Sequence, residues 1–324
     1  MKAIVCEAYG GPEVLAWREV PDPPPPGPGE VLLRLLARGV QYVDVLMAAG
    51  TYQFRPEPPF IPGSEAAGEV LAVGPGVTRF HPGDQVMSRH RLGAFAERAV
   101  VPESACESVP AGLSLEQAGV FRAAHATAYH ALLQRGRLAS GEWVLIHGAA
   151  GGIGIAAIQV AKLMGARVIA TAGTEAKRAA CLEEGADHAI PYAGGFLDAV
   201  KALTGGRGVD IVYDPIGAGV TEDSLRCLAW GGRLLILGFL GGGPANIRSN
   251  YLLIKGIEAI GVRIGGLQEA NPSLAEANAR DLARLAGEGK LRPRISHRFP
   301  LERAADALRA VMAREVIGKA VLVG

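Results

Sequence analysis

The sequence is poor in cysteine and in long apolar runs. Its four cysteines, Cys6, Cys106, Cys181 and Cys227, form no Cys-x-x-Cys pair, so it predicts neither a zinc lobe nor a disulfide framework. The best apolar run, Leu234 to Leu240, is far shorter than the ~18 residues that a membrane span needs. Near the N-terminus, Glu7 interrupts the sequence before an apolar stretch like that of a signal peptide can form. We therefore expect a soluble protein of the reducing cytoplasm, without a membrane anchor.

A surplus of one charge sign is absent as well. Lys and Arg number 33 against 32 for Asp and Glu, a formal net charge of +1. This balance creates no global field that would attract nucleic acid or an anionic membrane, and no basic patch with interleaved aromatic residues adds one. We expect a small-molecule partner and no nucleic acid. With 324 residues, 49% of them apolar, the chain is long enough for two domains.

Two patterns divide the chain. Up to about Ala111, short β-like runs alternate with Pro- and Gly-rich turns, which predicts an irregular β domain. From about Leu113, short apolar runs, among them the predicted strand His188–Ile190, alternate with helical segments, which predicts a doubly wound parallel (Rossmann) sheet with helices on both faces. The predicted helices are Ile153–Gly165, Ala176–Glu184, Phe196–Thr204, Val220–Ala229, about Ser273–Glu288 and Leu301–Ala313. We assign residues 121–265 to this α/β domain. The tail, which ends in the predicted strand Lys319–Val323, is too short to fold alone, so we assign residues 1–120 and 266–324 to the first domain.

The strongest chemical signal is a glycine turn between a predicted strand and a helix. Residues 143–154 run Trp-Val-Leu-Ile-His-Gly-Ala-Ala-Gly-Gly-Ile-Gly. Glycines let the backbone approach a pyrophosphate, and the helix start offers unpaired N–H groups and a positive dipole end. A glycine cluster alone is weak in a chain with 44 glycines. The strand before it and the apolar helix after it nevertheless predict a dinucleotide site, with Gly151, Gly152 and Ile153 at the pyrophosphate.

The end of the next strand bears on the choice between NADH and NADPH. NAD-preferring domains place an acidic side chain there, which binds the ribose 2′-hydroxyl. Residues 170–178 read Ala-Thr-Ala-Gly-Thr-Glu-Ala-Lys-Arg, so the tip is small and neutral. Lys177 and Arg178 either meet a 2′-phosphate or form a solvated helix face, and Glu175 is unfavourable to an anion. On balance this segment predicts NADPH.

Ordered motifs along essentially the whole chain resemble the medium-chain dehydrogenase/reductase superfamily, and within it the quinone oxidoreductases similar to zeta-crystallin. The motifs are Gly-Pro-Glu-Val-Leu (11–15), Pro-Gly-Ser-Glu-Ala-Ala-Gly (62–68), Gly-Asp-Gln-Val (83–86), Thr-Ala-Tyr-His-Ala (127–131) and the stretch 141–162. The resemblance implies a chaperonin-10-like β-barrel catalytic domain interrupted by the dinucleotide domain, with the nicotinamide in a cleft between them. It also implies hydride transfer from NADPH to a quinone or enone.

The resemblance assigns further nucleotide contacts by position. Gly173, Lys177 and Tyr192 would surround the 2′-phosphate and its ribose. An equally good interpretation of Tyr192 is a structural one, a half-buried aromatic side chain that follows a strand. Thr127 would touch the nicotinamide, and Phe239 would border the same ring.

On the substrate side, the resemblance gives no reason to expect a metal. The positions that match zinc ligands of related alcohol dehydrogenases read Gln41, Ser64 and Ala123, and none is an effective ligand. The seven histidines show no ligand spacing, and packed or surface roles suit them better. Gln41 stands where family members commonly have asparagine and still offers an amide donor. Tyr52 supplies either a hydroxyl or an aromatic wall.

Two other functions and an assembly complete the predictions. An NADPH-dependent enoyl-thioester reductase shares the architecture, with a tyrosine near Tyr52 protonating the α-carbon. A non-catalytic NADPH-binding protein also fits, because a fold does not dictate activity. The predicted edge strand Glu258–Arg263 carries Ile260 and Val262, and open edges invite pairing. The resemblance likewise implies a homodimer joined through residues 258–263.

Overall fold

The computed structural model describes residues 1–324. Its strands are β1 (Lys2–Cys6), β2 (Leu15–Glu19), β3 (Glu30–Val40), β4 (Glu65–Val73), β5 (Gln85–Arg89), β6 (Arg98–Pro102), β7 (Cys106–Ser108), β8 (Trp143–Ile146), β9 (Arg167–Thr171), β10 (His188–Ile190), β11 (Val209–Asp214), β12 (Leu228–Ile236), β13 (Glu258–Gly261), β14 (Ile295–Pro300) and β15 (Lys319–Val323). Its helices are α1 (Tyr42–Ala48), α2 (Leu115–Tyr129), α3 (Gly152–Leu163), α4 (Glu175–Glu183), α5 (Phe196–Leu203), α6 (Ala218–Cys227), α7 (Ser249–Lys255), α8 (Ile264–Ala270), α9 (Pro272–Gly287) and α10 (Ala304–Met312).

The chain folds into two compact units. The first comprises Met1–Ala123 with Ala286–Gly324, and the second comprises Ala124–Leu285. The boundary predicted after residue 265 therefore falls after Leu285 in the structure. The reason is that α9 packs with the second unit, where Asp281 accepts a hydrogen bond of 3.1 Å from the Tyr129 hydroxyl.

The second unit is built on one parallel sheet. Its six strands lie in the order β10-β9-β8-β11-β12-β13, and every neighbouring pair is parallel. The direction of winding reverses between β8 and β11, as in a Rossmann fold. The predicted doubly wound α/β fold is confirmed.

Apolar side chains fix the register of this sheet. A row of four residues, Ile169, Leu145, Val212 and Leu234, lies at paired positions across β9, β8, β11 and β12. All four are 0% exposed and belong to one core cluster. Burying each side chain contributes roughly 1.5–3 kcal/mol. A slip of one residue would turn the row to the opposite face, so the carboxyl ends of the strands are held in fixed positions.

The first unit is mostly antiparallel and centres on the long strand β3. Its main sheet has the order β14-β15-β3-β4-β5-β7. The first half of β3 pairs with β6 and its second half pairs with β15, while β4 pairs along its other edge. A strand that exchanges partners in this way curls the sheet towards a barrel. Residues from both ends of the chain therefore share one sheet.

A buried arginine secures the bend of β3. Arg38 is 0% exposed, and its guanidinium donates to the carbonyl oxygens of Leu35 at 2.6 Å, Ala96 at 2.9 Å and Gly324 at 2.7 Å. Burial lowers the pKa of Arg38 to about 10, which leaves the guanidinium charged at neutral pH. The carbonyl oxygens replace the water that this cation has lost.

Candidate functional site

The loops at the carboxyl edge of the parallel sheet hold most of the predicted nucleotide contacts. They are Gly151, Gly152 and Ile153 after β8, Gly173 and Lys177 after β9, Tyr192 after β10 and Phe239 after β12. Parallel strands all end at the same edge of a sheet, and doubly wound folds bind their ligands there. Thr127 lies elsewhere in the chain order, on α2.

The turn after β8 leads directly into an uncapped helix. Gly148 takes the left-handed conformation with φ +58°, which glycine adopts without steric cost. The Gly151 N–H donates to the Gly148 carbonyl over 2.9 Å, and the Ile155 N–H donates to the Gly151 carbonyl over 2.8 Å. No side chain caps this end of α3. The first N–H groups of α3 and its positive dipole end are therefore available to bind an anion.

Gly154 is the glycine that the close approach of helix and turn requires. A Cβ atom there would lie 2.6 Å from Ala149 Cα, 2.6 Å from the Ala149 oxygen and 2.6 Å from the Gly148 oxygen. At Gly151 the nearest atom would be the Gly148 oxygen at 3.3 Å. Gly154 thus brings α3 against the turn, while Gly151 leaves the surface of the turn open.

The loop after β9 is open and carries no carboxylate at its tip. Gly173 is exposed, and a Cβ built on it would meet nothing within 4 Å. Thr174 caps α4 by accepting from the Lys177 N–H over 3.3 Å. The Arg178 guanidinium lies 3.4 Å from the carbonyl oxygens of Ala172 and Gly173. Of the two predicted cations, Arg178 thus contacts the loop backbone, and Lys177 is half-buried on the first turn of α4.

Tyr192 contacts the glycine turn itself. Its hydroxyl oxygen accepts a hydrogen bond of 2.7 Å from the Gly148 N–H, and burial raises the pKa of this phenol. The ring stacks on His147 with a centroid distance of 5.8 Å. Tyr192 is half-buried, as expected for an aromatic residue after a strand, and its place beside the 2′-phosphate stays a prediction.

His147 lies at the centre of a buried polar cluster that the sequence analysis missed. Its Nδ1 is 2.8 Å from Thr171 Oγ1, and its Nε2 is 2.8 Å from Ser224 Oγ. The residue is 0% exposed, and burial lowers its pKa to about 4. The available signal was its place immediately before the glycine turn. Its contacts come from β9 and α6, distant parts of the chain.

Thr127 and Phe239 occupy different surroundings. Thr127 is half-buried on α2, and on the same helix His125 Nε2 lies 3.1 Å from Gln159 Oε1 of α3. Phe239 is 50% exposed, with its ring edge against Gly217, where an added Cβ would come within 3.0 Å. A half-exposed phenylalanine at this edge offers a flat apolar surface to a ligand.

In the first unit, hydrogen bonds connect two of the three positions compared with zinc ligands and tie the third to Glu65. The Gln41 amide nitrogen donates to Ser64 Oγ over 3.1 Å, and the Ala123 N–H donates to the carboxylate of Glu65, beside Ser64, over 2.9 Å. An amide, a hydroxyl and a methyl group do not form a zinc donor set. No group of three or more His, Cys, Asp or Glu side chains in the chain is placed to hold a metal ion. These residues do not fit zinc.

Buried charges lie next to this cluster, and sequence reasoning did not find their pairing. Lys319 Nζ contacts Glu65 Oε1 at 2.9 Å, with side-chain exposures of 8% and 3%. Asp44 is 0% exposed, and burial raises its pKa to about 7. Its Oδ2 accepts from the Gln41 N–H over 2.8 Å, while its Oδ1 has no partner. Asp44 thus fixes the backbone of Gln41 at the start of α1.

Tyr52 lies just beyond the end of α1. Its N–H donates to the Leu46 carbonyl over 3.2 Å, and its own carbonyl accepts from Arg55 Nε over 3.3 Å. The side chain is half-buried. These backbone bonds hold the residue in place and leave both of its predicted roles open.

Comparisons with known proteins agree with this architecture. Residues 27–111 match the family model of the alcohol dehydrogenase GroES-like domain, and residues 152–279 match that of the zinc-binding dehydrogenase. Quinone oxidoreductase-like protein 2 of Rattus norvegicus is 36% identical over 323 residues, which cover 99% of this chain and 91% of that protein. The quinone oxidoreductase of Pseudomonas aeruginosa is 36% identical over 323 residues, which cover 99% of each.

The chain belongs to the quinone oxidoreductase family of the medium-chain dehydrogenase/reductase superfamily. A solved quinone oxidoreductase, that of Escherichia coli in complex with NADPH, has a TM-score of 0.91 and 29% identity, with 100% of both chains covered. The predicted pairing of a Rossmann sheet with a chaperonin-10-like barrel is confirmed for this family member.

We found neither a membrane-spanning helix nor a set of zinc ligands in this member of the quinone oxidoreductase family. None of the helices combines the length and the hydropathy that crossing a bilayer requires. The match to a model described as a zinc-binding dehydrogenase covers residues 152–279, whereas Gln41, Ser64 and Ala123 lie outside that range. The words 'zinc-binding' in the description of that family model therefore say nothing about whether Gln41, Ser64 and Ala123 bind zinc.

Proposed function

We propose that the protein is a zinc-independent NADPH-dependent oxidoreductase that reduces a conjugated acceptor, a quinone or an enone. The observation that carries this proposal is the glycine turn on the uncapped start of α3, at the carboxyl edge of a parallel sheet. Membership of the quinone oxidoreductase family supports the reaction class. When bound, the nicotinamide supplies the hydride, and the protein supplies binding and orientation.

The nucleotide would lie along the sheet edge. In this proposal the N–H groups of Gly152 and Ile153 bind the pyrophosphate, because no side chain caps the start of α3. Gly151, whose N–H donates to the Gly148 carbonyl, lies beside the pyrophosphate with its backbone. The half-exposed ring of Phe239 would border the nicotinamide, and Thr127 would contact the same ring. The residues present fit the cofactor, since a flat aromatic face and unpaired donors are what a dinucleotide requires.

NADPH is proposed over NADH on the character of the loop after β9. Gly173 leaves open space there, no carboxylate occupies the tip, and Lys177 lies on the first turn of α4. Tyr192 stands beside the glycine turn. The NADPH complex of the Escherichia coli quinone oxidoreductase supports the same choice.

Replacing Lys177 with alanine should lower the preference for NADPH. If the ammonium pairs with the 2′-phosphate, its loss removes a charge-assisted bond of ~1.5–3 kcal/mol and weakens NADPH binding roughly 10- to 150-fold. NADH lacks the 2′-phosphate, so its affinity should stay nearly constant. Calorimetric titration of both nucleotides measures the effect, and Lys201→Ala, on α5, is the matched control. An unchanged ratio of the two dissociation constants would show that Lys177 only forms a solvated helix face.

The acceptor is proposed from the residues of the first unit. Without a Lewis acid, a simple ketone lacks stabilisation for the developing oxyanion. A quinone or an enone spreads that charge through conjugation to a distant oxygen, where hydrogen-bond donors or water meet it. Gln41, held by Ser64 and Asp44, presents its amide group in that role, and Tyr52 forms a wall or a hydroxyl donor beside it.

The decisive experiment is stopped-flow NADPH oxidation across 1,4-quinones, enones and crotonyl thioester, with EDTA present. We expect quinones or enones to give the highest kcat/KM and EDTA to have no effect. Higher efficiency on the thioester would instead identify an enoyl-thioester reductase with Tyr52 as proton donor. Tight NADPH binding without turnover of any acceptor would indicate a non-catalytic binding protein.

A homodimer joined through the sheet edge is also proposed. β13 ends the parallel sheet, and its residues Glu258 and Ala259 are exposed. Ile260 and Val262, expected at the open edge, are each 8% exposed, whereas Leu253 and Ile254 on the preceding α7 are 84% and 72% exposed. Pairing of β13 with a second copy would cover these apolar side chains. Sedimentation velocity at micromolar concentration tests the dimer, and a monomer alone would refute it.

The cytoplasm is the proposed compartment. All four cysteines are free thiols and all are buried, and burial raises the pKa of Cys106 and Cys227 to about 12. Buried, protonated thiols of this kind are inert packing groups. They match a reducing environment that supplies NADPH.

A further inference from the structure

The ring of His147 connects three elements at the nucleotide-binding edge. Thr171, on its Nδ1 side, is the last residue of β9, and Ser224, on its Nε2 side, lies on α6. The ring also stacks on Tyr192 and meets Phe196 edge-on, with a centroid distance of 4.8 Å to the latter. Since His147 itself follows β8, one fully buried side chain links the glycine turn to the loop where the 2′-phosphate is proposed to bind.

The lengths of the hydrogen bonds favour one tautomer of this ring. The Ser224 hydroxyl donates to the Val220 carbonyl over 2.6 Å, so its oxygen accepts from His147 Nε2–H. In a neutral imidazole the other nitrogen is then an acceptor. With this tautomer the Thr171 hydroxyl donates to Nδ1 over 2.8 Å, the shorter of its contacts, while the Ile146 carbonyl lies at 3.2 Å from the same oxygen.

The glycine turn has supports that do not involve this ring. The His147 N–H donates to the Tyr213 carbonyl over 3.0 Å, and the Ala149 N–H donates to the Thr171 carbonyl over 3.2 Å. Both are backbone bonds, so a substituted side chain at position 147 retains them. The ring nitrogens instead hold the Thr171 and Ser224 hydroxyls, and the ring face supports Tyr192. The Tyr192 hydroxyl also accepts from the Gly148 N–H, but the two backbone bonds hold the turn without it. The effect of the ring is therefore expected mainly where Tyr192 is proposed to meet the 2′-phosphate.

We propose that His147 is a positioning residue that sets the preference for a 2′-phosphorylated nucleotide by holding Thr171 and Tyr192 in register with the glycine turn. The proposal rests on the NADPH-dependent function above. It adds a residue that does not contact the nucleotide and acts through two neighbours. The effect should appear in the ratio of NADPH to NADH affinity, because only NADPH carries the 2′-phosphate.

Calorimetric titration of the full chain with NADPH and with NADH tests the proposal. His147→Phe keeps a ring for stacking and removes both nitrogens. We expect the NADPH dissociation constant to rise about tenfold, equivalent to ~1.4 kcal/mol, with that of NADH changed less than about twofold. His147→Asn places an amide near the Nδ1 position and should recover part of the preference. His130→Phe, at a buried histidine bonded within its own helical turn, should leave the ratio unchanged.

A purely structural role predicts a different result. In that case His147→Phe would weaken NADPH and NADH equally, and an unchanged ratio would overturn the proposal. Thr171→Val, which replaces the hydroxyl with a methyl group of similar shape, gives an independent test if His147→Phe does not fold. Long-range ¹H–¹⁵N correlation spectra of the labelled wild type should show neutral His147 protonated at Nε2. Protonation at Nδ1 would contradict the hydrogen-bond assignment.

The failures of the two proposals can be told apart. Wild-type protein that binds neither nucleotide would remove the proposed function and the role of His147 with it. Wild-type protein that prefers NADPH, with the same preference in His147→Phe and in Thr171→Val, would remove the role of His147 alone.

Discussion

Gly154→Ala is expected to weaken NADPH binding about 100-fold or more and to lower the free energy of unfolding by about 1–3 kcal/mol. The added methyl group would lie 2.6 Å from three backbone atoms of the turn, Ala149 Cα, the Ala149 oxygen and the Gly148 oxygen. Backbone atoms cannot rotate away, so α3 and the turn must separate. The N–H groups of the helix start would then no longer converge on the pyrophosphate. Calorimetric titration and urea denaturation measure the two losses.

Two further glycines separate the effect on binding from that on folding. Gly151→Ala places a methyl group 3.3 Å from the nearest atom at a φ of −80°, so stability should be retained. Binding should still fall, because the methyl group projects where the pyrophosphate approaches. Gly287→Ala, at an exposed position with nothing within 4 Å, should change neither quantity. If Gly154→Ala bound NADPH as tightly as the wild type, the pyrophosphate site would lie elsewhere.

Lys319→Met should destabilise the first unit by about 3–5 kcal/mol. The substitution removes the cation at 2.9 Å from Glu65 and leaves that carboxylate buried without a charge partner. Asp44 faces the same lysine and the same glutamate, so two buried acids would remain together. Urea denaturation followed by tryptophan fluorescence, to which Trp17 of the first unit contributes, measures the loss. Glu65→Gln combined with Lys319→Met should recover much of it, because the uncompensated charge is then gone.

The stability lost in Lys319→Met should increase as pH rises. Burial already raises the pKa of Asp44 from its ordinary 3.8 to about 7, so the folded state holds this proton across a range in which the unfolded state has released it. Stability from this group is thus present at low pH and is lost as pH rises towards 7. Removing Lys319 takes away an interaction that favours the carboxylate, so the variant should be relatively weaker at pH 8 than at pH 5.

An exposed ion pair provides the control. Lys2 and Glu19 are 3.1 Å apart, with side-chain exposures of 43% and 78%. Lys2→Met should leave the free energy of unfolding almost unchanged, because water screens such a pair. Equal losses of unfolding free energy in Lys2→Met and Lys319→Met would show that burial does not determine how much the pair of Glu65 and Lys319 stabilises the fold.

Local patterns gave most of the α/β domain. The predicted strand at residues 188–190 has the observed bounds, and the predicted helix starts of α3, α4 and α5 lie within one residue of the structure. These elements have strong periodicity and are punctuated by glycines, so the signal lies within short windows of sequence. Helices α1, α2, α7 and α8 were not predicted. The three short ones, α1, α7 and α8, offer too few turns for a clear period.

The site was predicted unevenly for a related reason. Gly151, Gly152 and Ile153 follow from one contiguous segment whose meaning depends on the strand before it and the helix after it. The contacts of His147 come from positions 24 and 77 residues away, and histidine spacing alone favoured an ordinary packed residue. The sequence gives the residue and its neighbours in the chain, whereas the partners depend on strand order.

By itself the sequence determined the main alternation of strands and helices in the α/β domain and the chemistry of the glycine turn, because periodicity and glycine conformation act over a few residues. Only the tertiary structure decided which polar groups are buried together. Glu65 and Lys319 are 254 residues apart and share one hydrogen bond, because β15 pairs with β3 beside β4. Pairing of this kind depends on the whole sheet closing at once, and no short segment of the chain encodes it.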